Sequence, residues 1–187
     1  MKTVAITGLP CSGKTAALKE ARALGFPTVD CDAIVSGLYG KPAVKKKLLK
    51  EFGTSQKAPL STMAFSSPQK RKRLESILHP LVWKAVKQKL SSFKKQKKAL
   101  AFVEVPLLFE AGWQKRFDET VFVKAPRPQC ISRLRKKGLS AKEAGQRLKA
   151  QWPQGKKIKS AHHIIDNGKT VAKTRLQVKA LVGLLEN

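Results

Sequence analysis

Gly8-Leu9-Pro10-Cys11-Ser12-Gly13-Lys14-Thr15 satisfies G-x-x-x-x-G-K-[ST] at every fixed position. The flanks fit the same reading. Thr3-Val4-Ala5-Ile6-Thr7 is short, apolar and β-branched, which predicts a buried strand. Thr15 to Arg22 is rich in strong helix formers. A strand, a glycine loop and a helix in succession aim backbone N–H groups and a helix N-terminus at a polyphosphate. Gly8 and Gly13 let the backbone approach the ligand without a Cβ, and Cys11, Ser12 and Ala16 lie along the same cradle. Lys14 is expected to reach the β- and γ-phosphates, and Thr15 to ligate Mg²⁺ through its hydroxyl. A chance glycine turn, or a loop for some other anion, is the competing reading; the strand and helix in register favour a nucleoside triphosphate.

Composition narrows the class. The chain has 187 residues, 42% of them hydrophobic, enough for one compact domain with small appended lobes. No apolar run approaches the roughly 20 residues of a membrane span, and the cytoplasm is the expected compartment. Cys11, Cys31 and Cys130 are odd in number and lack C-x-x-C spacing, so neither a disulfide framework nor a zinc site is expected. Cys11, inside the loop, is either a thiol activated by the helix N-terminus or an inert filler.

The charge is lopsided: 39 Lys plus Arg against 12 Asp plus Glu, a formal net charge of +27. Clusters recur at Lys45-Lys46-Lys47, Lys70 to Arg73, Lys94 to Lys98, Arg133 to Lys137 and Lys156 to Lys159. Such a field attracts polyanions. The clusters are scattered over predicted helices, aromatics make up only 6%, and no zinc-finger or other nucleic-acid signature is present. Solvated helix faces that steer phosphorylated ligands are the preferred reading over specific nucleic-acid binding.

Gly25–Asp30 reads as a turn and then a second short strand, and further strands are predicted at Ala99–Val105, Glu119–Lys124 and His163–Asp166. Asp30-Cys31-Asp32 follows the second strand on the edge where open α/β sheets bind ligands. The stretch from Ala33 to Lys98 reads as mostly helical. A loop is expected from Pro59 to Pro68, and helices over Gln69–Ile77 and Leu81–Phe93 with His79-Pro80 as the break between them. Helices are also expected over Pro128–Lys137, Ser140–Trp152 (with Ser140 and Glu143 as a capping box) and Lys173–Leu185. Strands alternating with helices predict a P-loop-type three-layer α/β/α fold around a five-stranded parallel sheet.

The phosphate loop, Asp30-Cys31-Asp32, His79-Pro80, Val105-Pro106-Leu107-Leu108-Phe109-Glu110, the Arg147…Gln151-x-Pro153 spacing and Ile165-Asp166-Asn167 fall in one order along the chain. In that order they resemble the dephospho-CoA kinases over almost the whole length. The resemblance implies transfer of the γ-phosphoryl group of ATP to the ribose 3′-hydroxyl of dephospho-CoA, the last step of coenzyme A synthesis, with Mg²⁺. It implies a core of about 1–36, 99–132 and 158–187, a helical acceptor lobe of about 37–98 and a lid of about 133–157.

Residue by residue, the resemblance points to Asp32 as the group that accepts or orients the acceptor's proton; holding Mg²⁺ through water, or capping the next helix, are its alternatives. Arg133 and Arg147 are expected to clamp the transferring phosphate, or else to make surface salt bridges. Glu110 is expected to hold a substrate hydroxyl or a basic partner, Pro106 and Leu107 to shape the wall, and His79 to line the acceptor lobe or serve as a helix breaker. Asn167 lies where the family meets adenine, and Asp166 is expected to fix its own loop. The chain departs from the family pattern at Ala33-Ile34-Val35-Ser36, where an arginine is expected, at the short Gly53–Pro68 segment, at Lys136-Lys137-Gly138 in place of Arg-Asp-Gly, and at His162 in place of aspartate. Another small-molecule P-loop kinase, and a weakly catalytic nucleotide-binding protein that uses its basic surface to hold nucleic acid, are the alternative functions.

Overall fold

A computed structural model describes residues 1–186, apart from the side chain of Phe65. The elements run β1 (Lys2–Gly8), α1 (Lys14–Ala23), β2 (Thr28–Asp30), α2 (Cys31–Leu38), α3 (Pro42–Phe52), α4 (Lys57–Ser66), α5 (Pro68–Lys95), β3 (Leu100–Glu104), β4 (Glu119–Lys124), α6 (Arg127–Arg135), α7 (Ala141–Lys149), α8 (Gln154–Ser160), β5 (His163–Asp166) and α9 (Val171–Glu186), with a 3₁₀ turn at Gln114–Arg116. The strands form one all-parallel sheet in the order β2-β3-β1-β4-β5. β1 is therefore flanked by β3, with Ile6 opposite Glu104, and by β4, with Gly8 opposite Val123. The chain leaves β1 toward one side of the sheet and later returns to the other, so the loop after β1 sits at the topological switch point.

The chain divides into two compact units, Met1–Val29 with Ser92–Asn187, and Asp30–Ser91. In the first, period-2 alternation sends strand side chains to two helical layers. Val4, Ile6, Phe102, Val121, Val123 and Ile165 pack with Ala17, Leu18 and Ala21 of α1 and with Val178, Leu181, Val182 and Leu185 of α9. Phe122 points the other way, into Leu9, Ala125, Cys130, Leu134, Ala144 and Leu148, which brings α6 and α7 onto the second face. Three layers follow from these two clusters. All five predicted strands are present. No helix among the described residues is long and apolar enough to cross a membrane.

The second unit corrects two expectations. Pro59–Pro68 is not a loop: α4 occupies Lys57–Ser66, and Pro68 opens α5. Both prolines stand in first turns, where a missing N–H breaks no helical hydrogen bond. Nor does His79-Pro80 split a helix, since α5 runs unbroken from Pro68 to Lys95. Leu74, Ile77, Leu78, Val82 and Val86 are buried on both sides of Pro80, and that apolar stripe outweighs the roughly 3 kcal/mol that an interior proline costs. Asp30 caps α2, its carboxylate accepting from the Ala33 N–H at 3.1 Å.

In the first unit, α7 ends at Lys149 rather than Trp152, and α8 follows from the N-cap Pro153. The Ser140–Glu143 capping box forms as read from the sequence.

At the edge of the sheet away from the loop, Asp118 accepts from both the N–H and the hydroxyl of Thr3 at 2.7 Å. Partial burial alone would raise its pKa. The Thr3 hydrogen bonds outweigh burial and hold the carboxyl below its ordinary value. A depressed folded pKa stabilises above the unfolded value, near 3.9, and that contribution is lost as pH falls through the lower folded pKa. Asp118→Asn is therefore expected to reduce the unfolding free energy at neutral pH by less than about 1 kcal/mol for so exposed a group, seen as a slightly lower thermal midpoint, and to match the parent in acid. Melting curves from pH 7 down to pH 2 check this.

Candidate active site

The loop after β1 folds around its own backbone. The Ser12 N–H donates to the Leu9 carbonyl at 3.1 Å. Cys11 takes a left-handed φ of 58° and Gly13 a φ of 108°. Gly13 is the N-cap of α1 and offers no side-chain cap, in contrast to Asp30 on α2 and Ser140 on α7. The start of α1 is thus left for a ligand rather than for a side chain of its own. A Cβ on Gly8 would stand 2.5 Å from both Ser12 Oγ and the Val123 carbonyl, and one on Gly13 would stand 1.9 Å from Asn167 Nδ2. Both glycines are fixed by close approach. Ser12 Oγ is buried and, among the described residues, has no hydrogen-bond partner. A hydroxyl left over inside a glycine cradle is what a phosphate oxygen satisfies.

Lys14 is buried, and its Nζ donates to the Leu9 carbonyl at 3.1 Å. The Thr15 hydroxyl donates to the Glu104 carboxylate, 3.2 Å from Oε2 and 3.4 Å from Oε1. Glu104 closes β3 next to β1 and is only 4% exposed. It was missed in the sequence. Its signal is a lone carboxylate ending the otherwise apolar run Leu100-Ala101-Phe102-Val103, on the ligand edge of the sheet. Burying a carboxylate costs far more than burying the valine that precedes it, and the Thr15 hydroxyl offsets part of that cost.

Behind the loop stands a polar buttress. Asn167 Nδ2 donates to the Ser12 carbonyl at 2.7 Å, and the Thr174 hydroxyl donates to Asn167 Oδ1 at 2.8 Å. Arg133 donates to the Cys11 carbonyl at 3.1 Å, to Gln129 Oε1 at 3.3 Å and to the Asn167 carbonyl at 3.5 Å. Asp166 accepts from the Gly168 N–H at 2.8 Å and so fixes the turn that presents Asn167. The resemblance puts Asn167 where the family meets adenine, and makes Arg133 a clamp on the transferring phosphate or else a surface salt bridge. In this structure the Asn167 amide is committed to Ser12 and Thr174, and the Arg133 guanidinium grips the outside of the loop. The reason is geometric: left-handed turns at Cys11 and Gly13 swing the carbonyls of Cys11 and Ser12 outward, and each needs a donor.

Glu110 has the basic partner rather than only a place for a substrate hydroxyl. Its Oε1 lies 2.7 Å from Lys157 Nζ and accepts from the Trp152 N–H at 2.8 Å. Lys157 is fully buried, which corrects the reading of Lys156–Lys159 as a solvated cluster. Burial pushes its pKa below the ordinary lysine value; Glu110 opposes this, and the charge of Lys14 adds to the fall. The Pro106 carbonyl accepts from the Thr7 hydroxyl at 3.2 Å, and Leu107 beside it is half-buried. Arg147 is half-buried on α7. Ala16 is exposed on α1. Asp32 and His79 belong to the second unit. Asp32 lies in the first turn of α2, where the capping role it was a candidate for is taken by Asp30, and His79 is half-buried within α5. All three cysteines are free thiols, with Cys31 and Cys130 buried.

Comparison with known proteins gives a consistent result. A family model described as dephospho-CoA kinase matches residues 2–173. The chain is similar to the dephospho-CoA kinase of Symbiobacterium thermophilum, at 33% identity over 96% of this chain and 80% of that protein, and to that of Thermus thermophilus, at 32% over 97% and 91%. A crystal structure of a Thermus thermophilus protein superimposes with a TM-score of 0.84 at 32% identity, covering 98% of this chain and 97% of that one. A shikimate kinase from Bacteroides thetaiotaomicron, at a TM-score of 0.56 and 20% identity, shares the fold. With a family model spanning most of its length and relatives above 30% identity, the chain belongs to the dephospho-CoA kinase family.

Proposed function

We propose that the protein transfers the γ-phosphoryl group of ATP to the ribose 3′-hydroxyl of dephospho-CoA, giving coenzyme A and ADP in the cytoplasm. The observation that carries this reading is the match to dephospho-CoA kinases from residue 2 to residue 173, which spans both the phosphate loop and the segment expected to select the acceptor. In this reading residues of about 37–98 form the acceptor lobe and about 133–157 the lid.

The acceptor oxygen attacks the γ-phosphorus, the bond from that phosphorus to the β–γ bridging oxygen breaks, and the hydroxyl proton passes to the Asp32 carboxylate. Little covalent work falls to the protein; alignment and charge compensation dominate. Lys14 exchanges the Leu9 carbonyl for the β- and γ-phosphates. Ser12 Oγ and the uncapped start of α1 donate to phosphate oxygens, and Arg147 on the lid offers the planar fork that matches a phosphoryl group. His79 and the Pro106–Leu107 wall border the acceptor. Arg133 and Asn167 act one step back, holding the loop in shape.

The oxygen donors of Thr15 and Glu104 fit Mg²⁺, a hard cation that favours hydroxyl and carboxylate ligands. When bound there it would neutralise charge on the β- and γ-phosphates. Glu104→Gln keeps the shape, a hydrogen bond to Thr15 and the apolar packing, but removes the charge. It is expected to lower kcat about 10²-fold and to raise the Mg²⁺ concentration needed for half-maximal rate, as read from initial rates across an Mg²⁺ titration.

The functional test is ADP release with dephospho-CoA set against adenosine, AMP, shikimate and simple alcohols. Stimulation by dephospho-CoA alone supports the proposal. Stimulation by another alcohol assigns a different P-loop kinase. No stimulation, with salt-dependent retention on nucleic acid, supports the binding-protein alternative.

A further inference from the structure

Within the basic run Lys156-Lys157-Ile158-Lys159, residues 156 and 159 are exposed and Lys157 is 0% exposed. Its ammonium lies 2.7 Å from Glu110 Oε1 and donates to Gln151 Oε1 at 2.8 Å. The same Glu110 oxygen accepts from the Trp152 N–H at 2.8 Å. Lys156, one residue earlier, lays its ammonium 3.6 Å from the centre of the Trp152 ring. Three chain segments therefore meet at one buried charge: the stretch after β3 (Glu110), the exit from α7 (Gln151 and Trp152) and α8 (Lys157).

Stability does not require this arrangement. Taking an ammonium and a carboxylate out of water costs several kcal/mol each, and apolar residues of similar volume commonly replace such pairs without loss. What an apolar pair cannot supply is direction. Lys157 and Glu110 hold a specific side chain, Gln151, and a specific backbone N–H, Trp152, immediately after the helix that carries Arg147. Gln151 and Pro153 also frame the spacing from Arg147 that the sequence shows.

We propose that Glu110, Lys157 and Gln151, gathered around the buried Lys157 ammonium, form an anchor that fixes the C-terminal foot of the 133–157 segment and so presents Arg147 to the transferring phosphate. Lys157 is a positioning residue: it touches no substrate and acts through α7. The proposal rests on the reading of 133–157 as a lid and of Arg147 as its phosphate contact.

The test uses the full-length protein and two variants. Glu110→Met with Lys157→Met removes both charges together, and Gln151→Leu leaves the ion pair and its Trp152 N–H contact intact while cutting the Lys157–Gln151 hydrogen bond. The double variant is expected to melt at or above the parent's temperature yet lose at least about 10-fold in kcat, and Q151L to lose several-fold. Neither loss should add to that of Arg147→Ala, because all act through one group. A folded double variant with parental kcat, or losses fully additive with R147A, overturns the anchor. If the double variant does not fold, Q151L decides by the same two criteria. Limited trypsin digestion separates this proposal from the assignment of function, because it needs no acceptor. The anchor predicts faster cleavage of Arg133–Lys149 in both variants, and parental cleavage rates overturn it even where dephospho-CoA proves to be the substrate. Should the parent show no kinase activity, digestion remains the deciding measurement for the anchor.

Discussion

Gly13→Ala is expected to lower kcat/KM for ATP by at least about 10²-fold while leaving the far-ultraviolet circular dichroism unchanged. Two independent costs combine. The backbone at Gly13 has a φ of 108°, a region that side chains enter only at a cost of roughly 1–2 kcal/mol. The new Cβ would also stand 1.9 Å from Asn167 Nδ2 and 2.7 Å from Asn167 Cγ. Asn167 cannot step aside cheaply, because its amide is held on one side by the Ser12 carbonyl and on the other by the Thr174 hydroxyl. The loop must therefore shift, and a displacement near 1 Å at a site that works by alignment costs about 10²-fold. The core is untouched, since the two apolar clusters do not include Gly13. Adding Asn167→Ala to the Gly13→Ala protein removes the clash and is expected to restore part of the loss, despite leaving the Ser12 carbonyl without its donor. Activity within twofold of the parent in Gly13→Ala would show that the loop does not hold the nucleotide as drawn.

The second large effect is expected at Asp32. Asp32→Asn keeps the size and the first turn of α2 but removes the proton acceptor. A fall in kcat of about 10²–10⁴-fold is expected, the range for a positioned general base, with ATP affinity little changed. The helix itself should tolerate the change, because the cap is Asp30, whose carboxylate accepts from the Ala33 N–H. Isothermal titration with a non-hydrolysable ATP analogue and steady-state kinetics with dephospho-CoA separate the two quantities. Equal losses in binding and turnover would move Asp32 from proton transfer to nucleotide binding.

The sheet was legible because the strands centre on short apolar, β-branched-rich stretches such as Val4-Ala5-Ile6, Leu100–Val103, Val121-Phe122-Val123 and Ile164-Ile165, and because β1 leads straight into Gly8. Prolines were harder to read. Pro59, Pro68 and Pro80 all punctuate the sequence, yet two stand in helix first turns and the third lies within a helix whose buried stripe runs past it. Position relative to a helix start, not the presence of proline, decides the outcome.

The site was legible where the chemistry is local. The phosphate loop needs only its own residues. Glu104 needs to be known as a neighbour of β1, and strand order is not written in any short stretch. Lys157 looks like its exposed neighbours Lys156 and Lys159, and only the packing of α8 makes it a buried cation. Arg133 and Asn167 stand beside the loop, but with partners the resemblance did not supply. Their hydrogen bonds to the outward carbonyls of Cys11 and Ser12 follow from left-handed turns that the sequence marks only through Gly13.

The central claim is a regiospecific transfer, and product analysis addresses it most directly. Purified protein is incubated with Mg²⁺, ATP and dephospho-CoA, and the product is examined by mass spectrometry and ³¹P nuclear magnetic resonance. The account predicts the addition of one phosphoryl group per molecule, present as a monoester on the ribose 3′-oxygen and formed in equal amount with ADP. Unaltered dephospho-CoA in the presence of ATP hydrolysis, or a phosphoryl group on any other oxygen, would contradict it.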